Sequence, residues 1–385
     1  MKFLILSDLH LGRQLHRYSL QEEQAEMLER IRLIAQAEKP QAVLIAGDVY
    51  DRSVPPVYAT QLLDTFLAAL TRETTVCVIN GNHDSAERLS FLSGPLQESG
   101  LHISPVYRGQ VTPVTLVDDA GPVDVWLLPF LKAATVRPFF PEENIETTND
   151  AVNCAIRHMT INPTRRNVLV AHQFVAGGAL SGSEETLFYA TAEVNVGGSD
   201  LVEARCFAPF DLVALGHLHR RQNVGSERIH YCGTPMAYDF SEAGMEKSVT
   251  IAELSADHSV TLRHETIPAP RRLAEVKGRF EEVTGEAFLR HADRDAYTHV
   301  ILTDDTPIPD VMNRLRQVYP RITHLDWDNA RTREAEDFST AVDANKHTPL
   351  SLFEAFYQQA NGMDMSEEQT HYMERLIREI WEDRA

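Results

Sequence analysis

Three short apolar runs near the start of the chain, residues 3–6, 42–46 and 75–79, show no alternation of polar and apolar positions. Such runs read as strands buried on both faces. Between them the apolar positions fall at helical spacing, with Met27, Leu28, Ile31 and Ile34 inside residues 20–37 and a second helix over 57–70. Pro40 closes the first helix and Pro55-Pro56 precedes the second. The order is β-α-β-α-β, as in a parallel sheet with crossover helices. Further strand-like runs follow at 111–117, 123–129, 167–171, 210–215, 228–232, 248–254 and 260–267, with a helix over 149–159. Residues 1–268 therefore read as an α/β domain, one sheet flanked by helices or two sheets packed together.

Pro268-Ala-Pro270 marks a boundary. Beyond it, strands at 273–277, 298–302 and 322–327 alternate with helices near 281–291 and 308–318, a second small domain over 269–328. Residues 329–348 are polar and charged, a linker by composition. Residues 349–385 carry two amphipathic helices. One presents Leu350, Leu352, Phe353, Phe356 and Tyr357; the other opens on a capping-box pattern, Ser366-Glu-Glu-Gln369, and presents Tyr372, Met373, Leu376, Ile377, Ile380 and Trp381. Apolar stripes behind a linker suit a docking partner, and packing back onto the main domain is the equal alternative. The Gly- and Ser-rich stretch 177–198 reads as a surface loop.

Composition narrows the function classes. A formal net charge of −20 argues against holding nucleic acid by bulk positive charge, though bound cations or a basic partner could supply that charge locally. The four cysteines, Cys77, Cys154, Cys206 and Cys232, show no C-x-x-C spacing and read as reduced thiols. The apolar start is too short for a signal sequence, and no run approaches the roughly 18 apolar residues of a membrane span. A soluble, cytoplasmic protein without membrane contact is the expectation.

What the strands deliver is more specific. Their carboxyl ends carry Asp8-Leu-His10, Gly47-Asp48-Val-Tyr-Asp51, Gly81-Asn82-His83-Asp84, Ala171-His172 and Gly216-His217-Leu-His219. Open α/β sheets place their sites at those ends. Singly, each of these histidines is more often a solvated or hydrogen-bonded loop residue, and Asp-x-His alone is a weak signal. Five such elements at strand ends make a constellation suited to two divalent cations sharing a carboxylate. Imidazole, carboxylate and amide donors without sulfur suit Mn²⁺, Fe²⁺ or Zn²⁺, with Mg²⁺ also possible. His83 is not needed as a ligand and can face the substrate phosphate or protonate a leaving oxygen, oriented by the Asp51 carboxylate. Arg13, His16, Arg52 and Arg220 follow these motifs closely enough to contact substrate, with plain solvation the duller reading.

These motifs resemble the signature of the calcineurin-like metallophosphoesterases. Ser7-Asp-Leu-His-Leu-Gly12, Ala46-Gly-Asp-Val-Tyr-Asp-Arg-Ser-Val-Pro-Pro56, Tyr231-Cys-Gly-Thr-Pro235 and Asp239-Phe-Ser-Glu242 are similar to one branch, the SbcD-type repair nucleases. The resemblance implies a metallophosphoesterase β-sandwich flanked by helices, with a small α/β capping domain and C-terminal helices. It implies one metal held by Asp8, His10, Asp48 and His219, and another by Asp48, Asn82, His172 and His217, with His83 catalytic and Asp51 its carboxylate partner. It further implies two Mn²⁺, 3′→5′ exonuclease and endonuclease action on DNA, and homodimers assembled with a coiled-coil ATPase subunit (SbcC) gripped by residues 349–385. No G-x-x-x-x-G-K-[ST] occurs, so ATP chemistry falls to the partner. The alternatives are a phosphoesterase acting on a small phosphodiester or phosphomonoester, and a scaffold that has lost catalysis. Ligand-type residues at all seven metal positions argue against the second.

Overall fold

The first apolar run forms β1 (Lys2–Leu6), followed by α1 (Gln21–Glu38), β2 (Ala42–Ala46), α2 (Val57–Leu70), β3 (Thr75–Ile79) and β4 (Leu101–Ile103). These four strands pair in parallel in that order. The chain then builds a second sheet from β5 (Pro113–Asp118), β6 (Gly121–Leu127), β7 (Arg166–His172), β8 (Leu212–Gly216), β9 (Gln222–Val224) and β10 (Ser226–Tyr231), in spatial order β9-β10-β8-β7-β6-β5. Helix α3 (Thr148–Arg157) falls between β6 and β7. Finally β11 (Ser248–Leu254) and β12 (Val260–Thr266) return to the first sheet, where β11 pairs antiparallel with β1. The computed structural model describes residues 1–91, 93–176, 201–329, 350, 353–354, 357–358 and 365–382.

The unbroken apolar runs are explained by a two-sided burial. Phe3, Ile5, Leu44, Cys77 and Ile79 of the first sheet meet Val123, Val125, Val168, Val170 and Ala214 of the second in a shared core. The outer face of the first sheet packs Val43, Ile45 and Val78 against Met27, Leu28 and Ile31 of α1 and Leu63, Phe66 and Leu67 of α2. The outer face of the second is covered by Ala151, Val152 and Ala155 of α3. The architecture is a β-sandwich flanked by helices, of the α/β class. All four cysteines are buried and unbridged. Among the described residues, no helix is long and apolar enough to cross a membrane.

The chain divides into two compact units, Met1–Ala274 with Asp295–Thr298, and Glu275–Arg294 with His299–Ala385. Around the second unit runs a three-stranded sheet, β13 (Leu273–Gly278), β14 (Tyr297–Leu302) and β15 (Ile322–Trp327), in that order. Val276, Phe280, Val283, Val300, Leu302 and Leu315 form its core, with Leu315 supplied by α4 (Val311–Val318). The single helix expected near 281–291 is instead two turns, Phe280–Val283 and Glu286–Leu289. Gly285 sits between them in extended conformation, a residue that weakens helix propagation most after proline. The capping box forms: Ser366 N–H donates to Gln369 Oε1 (2.8 Å) and Gln369 N–H to Ser366 Oγ (3.3 Å), opening α5 (Glu367–Glu382). The expected loop at 177–198, the linker beyond Asn329 and most of the first tail helix lie outside the described residues.

Candidate metal centre

The carboxyl ends of five strands converge. Asp8 and His10 follow β1, Asp48 follows β2, Asn82 and His83 follow β3, His172 ends β7, and His217 and His219 follow β8. The turns that bring them inward are tight. Asp8 (φ 53°), His10 (φ 42°), Asp48 (φ 46°) and His217 (φ 102°) occupy the left-handed region, which disfavours side chains. Main-chain bonds from Asp8 N–H to the Gly47 carbonyl and from His10 N–H to the Asp48 carbonyl (both 3.0 Å) zip the first two loops together.

Asp48 lies at the middle. Its Oδ2 is 3.2 Å from His172 Nε2, 3.9 Å from His83 Nε2 and 4.0 Å from His10 Nε2. On one side His10 Nε2 and His219 Nε2 face each other at 3.1 Å, grouped with the Asp8 carboxylate. On the other, the Asn82 Oδ1 lies 3.1 Å from both His172 Nε2 and His217 Nδ1, and Asp8, Asp48 and His172 form a second cluster. Two facing imidazole nitrogens at this distance share one proton at most, and a divalent cation could take that proton's place. The donors fit two divalent ions with Asp48 between, and the seven residues expected from the motifs are the ones brought together.

Small residues and tethers make the convergence possible. A Cβ on Gly81 would fall 2.1 Å from Asp48 Oδ1, and one on Gly216 would fall 2.0 Å from the Ala46 carbonyl and 2.6 Å from His172 Nδ1. The Asp84 carboxylate, not assigned a role from sequence, accepts from the Gly81 (2.9 Å), Tyr50 (2.9 Å) and Val49 (3.1 Å) amides and so ties the Asp48 loop to the Asn82 loop. Gln24 on α1 donates to the His10 carbonyl (2.8 Å) and accepts from the Gly12 amide (3.1 Å).

Two motifs that carried only resemblance acquire a physical purpose. Glu242 Oε1 accepts from His219 Nδ1–H at 2.9 Å, which turns His219 Nε2 towards His10. The other oxygen, Oε2, accepts from Thr234 Oγ1–H (3.1 Å) and from the Lys247 ammonium. Thr234 N–H and Lys247 Nζ also bond the His219 carbonyl (3.1 and 3.2 Å). Gly233, at φ 73°, lets the chain pass close behind: a Cβ there would meet the His219 carbonyl at 2.8 Å. Tyr231 holds the segment after His172, donating to the Gln173 carbonyl (2.7 Å) and accepting from the Val175 amide (2.6 Å). Glu242 was legible only as part of a branch motif, since no spacing rule connects it to His219.

One expected contact is made by a different atom. His83 Nδ1–H donates to the main-chain carbonyl of Asp51 (3.0 Å), and not to its carboxylate. That carboxylate is turned instead to Arg13 Nη1 (3.3 Å) and Arg52 Nε (3.4 Å). A guanidinium is permanently charged and outcompetes a neutral imidazole for a carboxylate. His83 remains oriented, because a carbonyl only accepts, so Nε2 is left for other work. Its own amide donates to Asp48 Oδ1 (2.9 Å). Of the four residues weighed as substrate contacts, Arg13 and Arg52 are thus paired with Asp51, while His16 and Arg220 are exposed near the first and last ligand motifs.

Burial and the close approach of opposite charges shift these groups in different directions. Burial raises the Asp8 carboxyl to about 6, and Asp48 adds to the effect. Burial would also raise Asp48, but His172, His10 and His83 outweigh it and hold that carboxyl far below the usual range. Burial lowers His10 well below an ordinary imidazole. It would lower His172 too, yet the Asp48 carboxylate, with Asp8 and the Ala46 carbonyl, brings that ring up to about 9. His172 Nδ1–H donates to the Ala46 carbonyl (2.7 Å), so the proton facing Asp48 sits on Nε2, the atom a metal would take.

Comparison with known proteins identifies the family. Residues 1–221 match the calcineurin-like phosphoesterase family, and residues 269–361 match the family described as the type 5 capsule protein repressor C-terminal domain. A protein of Staphylococcus saprophyticus, named as the SbcD subunit of nuclease SbcCD, is 31% identical, the alignment covering 100% of this chain and 99% of that one. Its namesake in Staphylococcus epidermidis is 29% identical over 98% of each chain. A family match over residues 1–221, which include all five ligand-bearing loops, and full-length similarity to these relatives carry the conclusion beyond the motifs: the chain belongs to the calcineurin-like phosphoesterases, in the branch of the SbcD nucleases.

Proposed function

We propose that this protein is the nuclease subunit of an SbcCD-type complex and hydrolyses DNA phosphodiesters at the centre built on Asp48. The observation that carries the reading is the meeting of Asp48, His172, His10 and His83 around one carboxylate oxygen, flanked by the Asp8–His10–His219 and Asn82–His217 donors. Asp8, His10, Asp48 and His219 would hold one cation, and Asp48, Asn82, His172 and His217 the other. Bound there, two divalent ions, Mn²⁺ in this reading, supply Lewis-acid polarisation of the phosphoryl group and neutralise its developing charge.

The protein's own groups do the rest. His83, oriented by the Asp51 carbonyl and the Asp48 carboxylate, presents Nε2 at a half-open position where a protonated ring can give its proton to the leaving oxygen. Arg13 and Arg52, gathered by the Asp51 whose carbonyl holds His83, would contact the phosphate, and His16 and Arg220 would offer further contacts. The acidic chain leaves much of the remaining DNA affinity to the partner ATPase, which the 349–385 helices would dock, and to a second copy in a homodimer. Action as a 3′→5′ exonuclease and as an endonuclease on DNA ends, in the cytoplasm, completes the reading.

The test offers purified protein end-labelled duplex DNA and bis-p-nitrophenyl phosphate, with Mn²⁺ or chelator. Mn²⁺-dependent shortening of the DNA supports the nuclease. Turnover of the ester alone, with DNA untouched even after the ATPase subunit is added, supports a small-ester phosphoesterase, the reading that the net charge of −20 favours. His83→Gln should keep metal content near normal while removing most turnover; equal loss of both would make His83 a ligand.

A further inference from the structure

The second unit carries an imidazole–carboxylate cluster that the phosphoesterase chemistry does not use. Strand period two puts Glu275 of β13, His299 of β14, and His324 and Asp326 of β15 on the face of the three-stranded sheet opposite Val276, Val300, Leu325 and Trp327. We infer that His299, His324 and Asp326 form a divalent-metal site, of a kind that takes Zn²⁺.

Both rings present the same nitrogen to the same atom. His299 Nε2 is 2.8 Å and His324 Nε2 is 3.7 Å from Asp326 Oδ2. Zinc bonds of about 2.0–2.1 Å to nitrogen and oxygen put neighbouring tetrahedral ligands about 3.3 Å apart, between these two separations. Each remaining ring nitrogen faces an oxygen, the arrangement that orients metal-ligating histidines. His324 Nδ1 lies 3.0 Å from Thr323 Oγ1, and His299 Nδ1 faces the Glu275 carboxylate at 3.6 Å. The rings stack with centroids 3.7 Å apart and planes 15° from parallel, and both Nε2 atoms approach Asp326 Oδ2; an ion held by both rings requires them to splay apart from this stack. Two imidazoles and a carboxylate with no sulfur are ordinary zinc donors. His299 is nearly enclosed, whereas the Asp326 side chain is 60% exposed, so the fourth position opens to solvent or to a partner's side chain.

The duller account is a carboxylate that two imidazoles share as acceptor, and metal counting separates the two. The full chain, stripped with chelator, is dialysed against Zn²⁺ and its bound metal counted by mass spectrometry beside His299→Ala/His324→Ala. The double variant should hold one zinc fewer per chain and keep its basal phosphodiesterase activity with Mn²⁺. Asp326→Asn, at the exposed position, removes a ligand with little risk to folding and should weaken that zinc by about tenfold or more. Equal zinc counts in wild type and double variant, or unchanged zinc affinity in Asp326→Asn, overturn the site.

Discussion

Replacing Glu242 with Gln tests whether the His219 orientation matters separately from folding. Glu242 is buried and accepts from His219, Thr234 and Lys247 through its two oxygens. Burial would raise its carboxyl, but His219 and Lys247 outweigh that and bring it from 4.5 down to about 2. A folded-state value below the unfolded one contributes stability that is present above pH 4.5 and lost as the pH falls through 2. Gln has a single oxygen to offer. If it faces His219, an amide NH₂ meets the buried Lys247 ammonium, and a buried charge left without its partner costs about 3–5 kcal/mol. If it faces Lys247, His219 loses its acceptor and the tautomer that leaves Nε2 bare. Losing such an outer partner of a metal-ligating histidine weakens metal binding by about 10–100-fold, or about 1.4–2.7 kcal/mol. Mn²⁺ binding followed by electron paramagnetic resonance should therefore show one of two ions weakened and the spin-coupled pair depleted. Glu242→Gln/Lys247→Met removes the stranded ammonium and should restore the melting temperature but not the affinity. If the double variant recovers both, or Glu242→Gln binds two Mn²⁺ as wild type does, Glu242 acts only through folding and the orientation argument fails.

Because His172 is raised to about 9, loading the centre near pH 7.5 must displace a proton from Nε2. Calorimetric enthalpies of Mn²⁺ binding should then vary with the ionisation enthalpy of the buffer, and affinity should rise by up to about tenfold per pH unit until 9; buffer-independent enthalpies would mean the ring is already neutral. Gly216→Ala forces a Cβ to within 2.0 Å of the Ala46 carbonyl and should cost at least about 2 kcal/mol in chemical denaturation, with loss of metal; a normal melt would mean that β8 can retreat from β2. Deleting residues 349–385 should abolish ATPase-subunit binding in a pull-down and spare Mn²⁺-dependent cleavage, and retained binding would remove the docking role.

The parts of this molecule legible in its sequence are those where one short segment carries the information. Buried strands announce themselves by unbroken apolar runs, and each ligand-type residue sits within a few residues of a strand's end, so period and position sufficed to bring Asp8, His10, Asp48, Asn82, His172, His217 and His219 into one group. Glu242 and Asp84 act across 23 and 35 residues respectively, through hydrogen bonds to His219 and to the Val49 amide, and nothing local reports such bonds. Asp51 shows the same limit on a finer scale. Its place beside His83 was readable, whereas which of its oxygens would face the ring depended on Arg13 and Arg52 competing for the carboxylate. The break at Gly285 was there to be read, but helical spacing on either side masked it.

The strand order governs when the proposed metal centre can first assemble. β1 is sandwiched between β2 and β11, so the strand that presents Asp8 and His10 lacks one neighbour until residues 248–254 have been made. The first sheet supplies Asp8, His10, Asp48 and Asn82, the second supplies His172, His217 and His219, and Glu242 comes later still. A ribosome emits these pieces in sequence, and pairings this far apart in the chain form slowly. No half-made chain would hold a complete set of the proposed ligands for either ion. The order of synthesis thus serves as a safety catch, released only when the whole sandwich has closed.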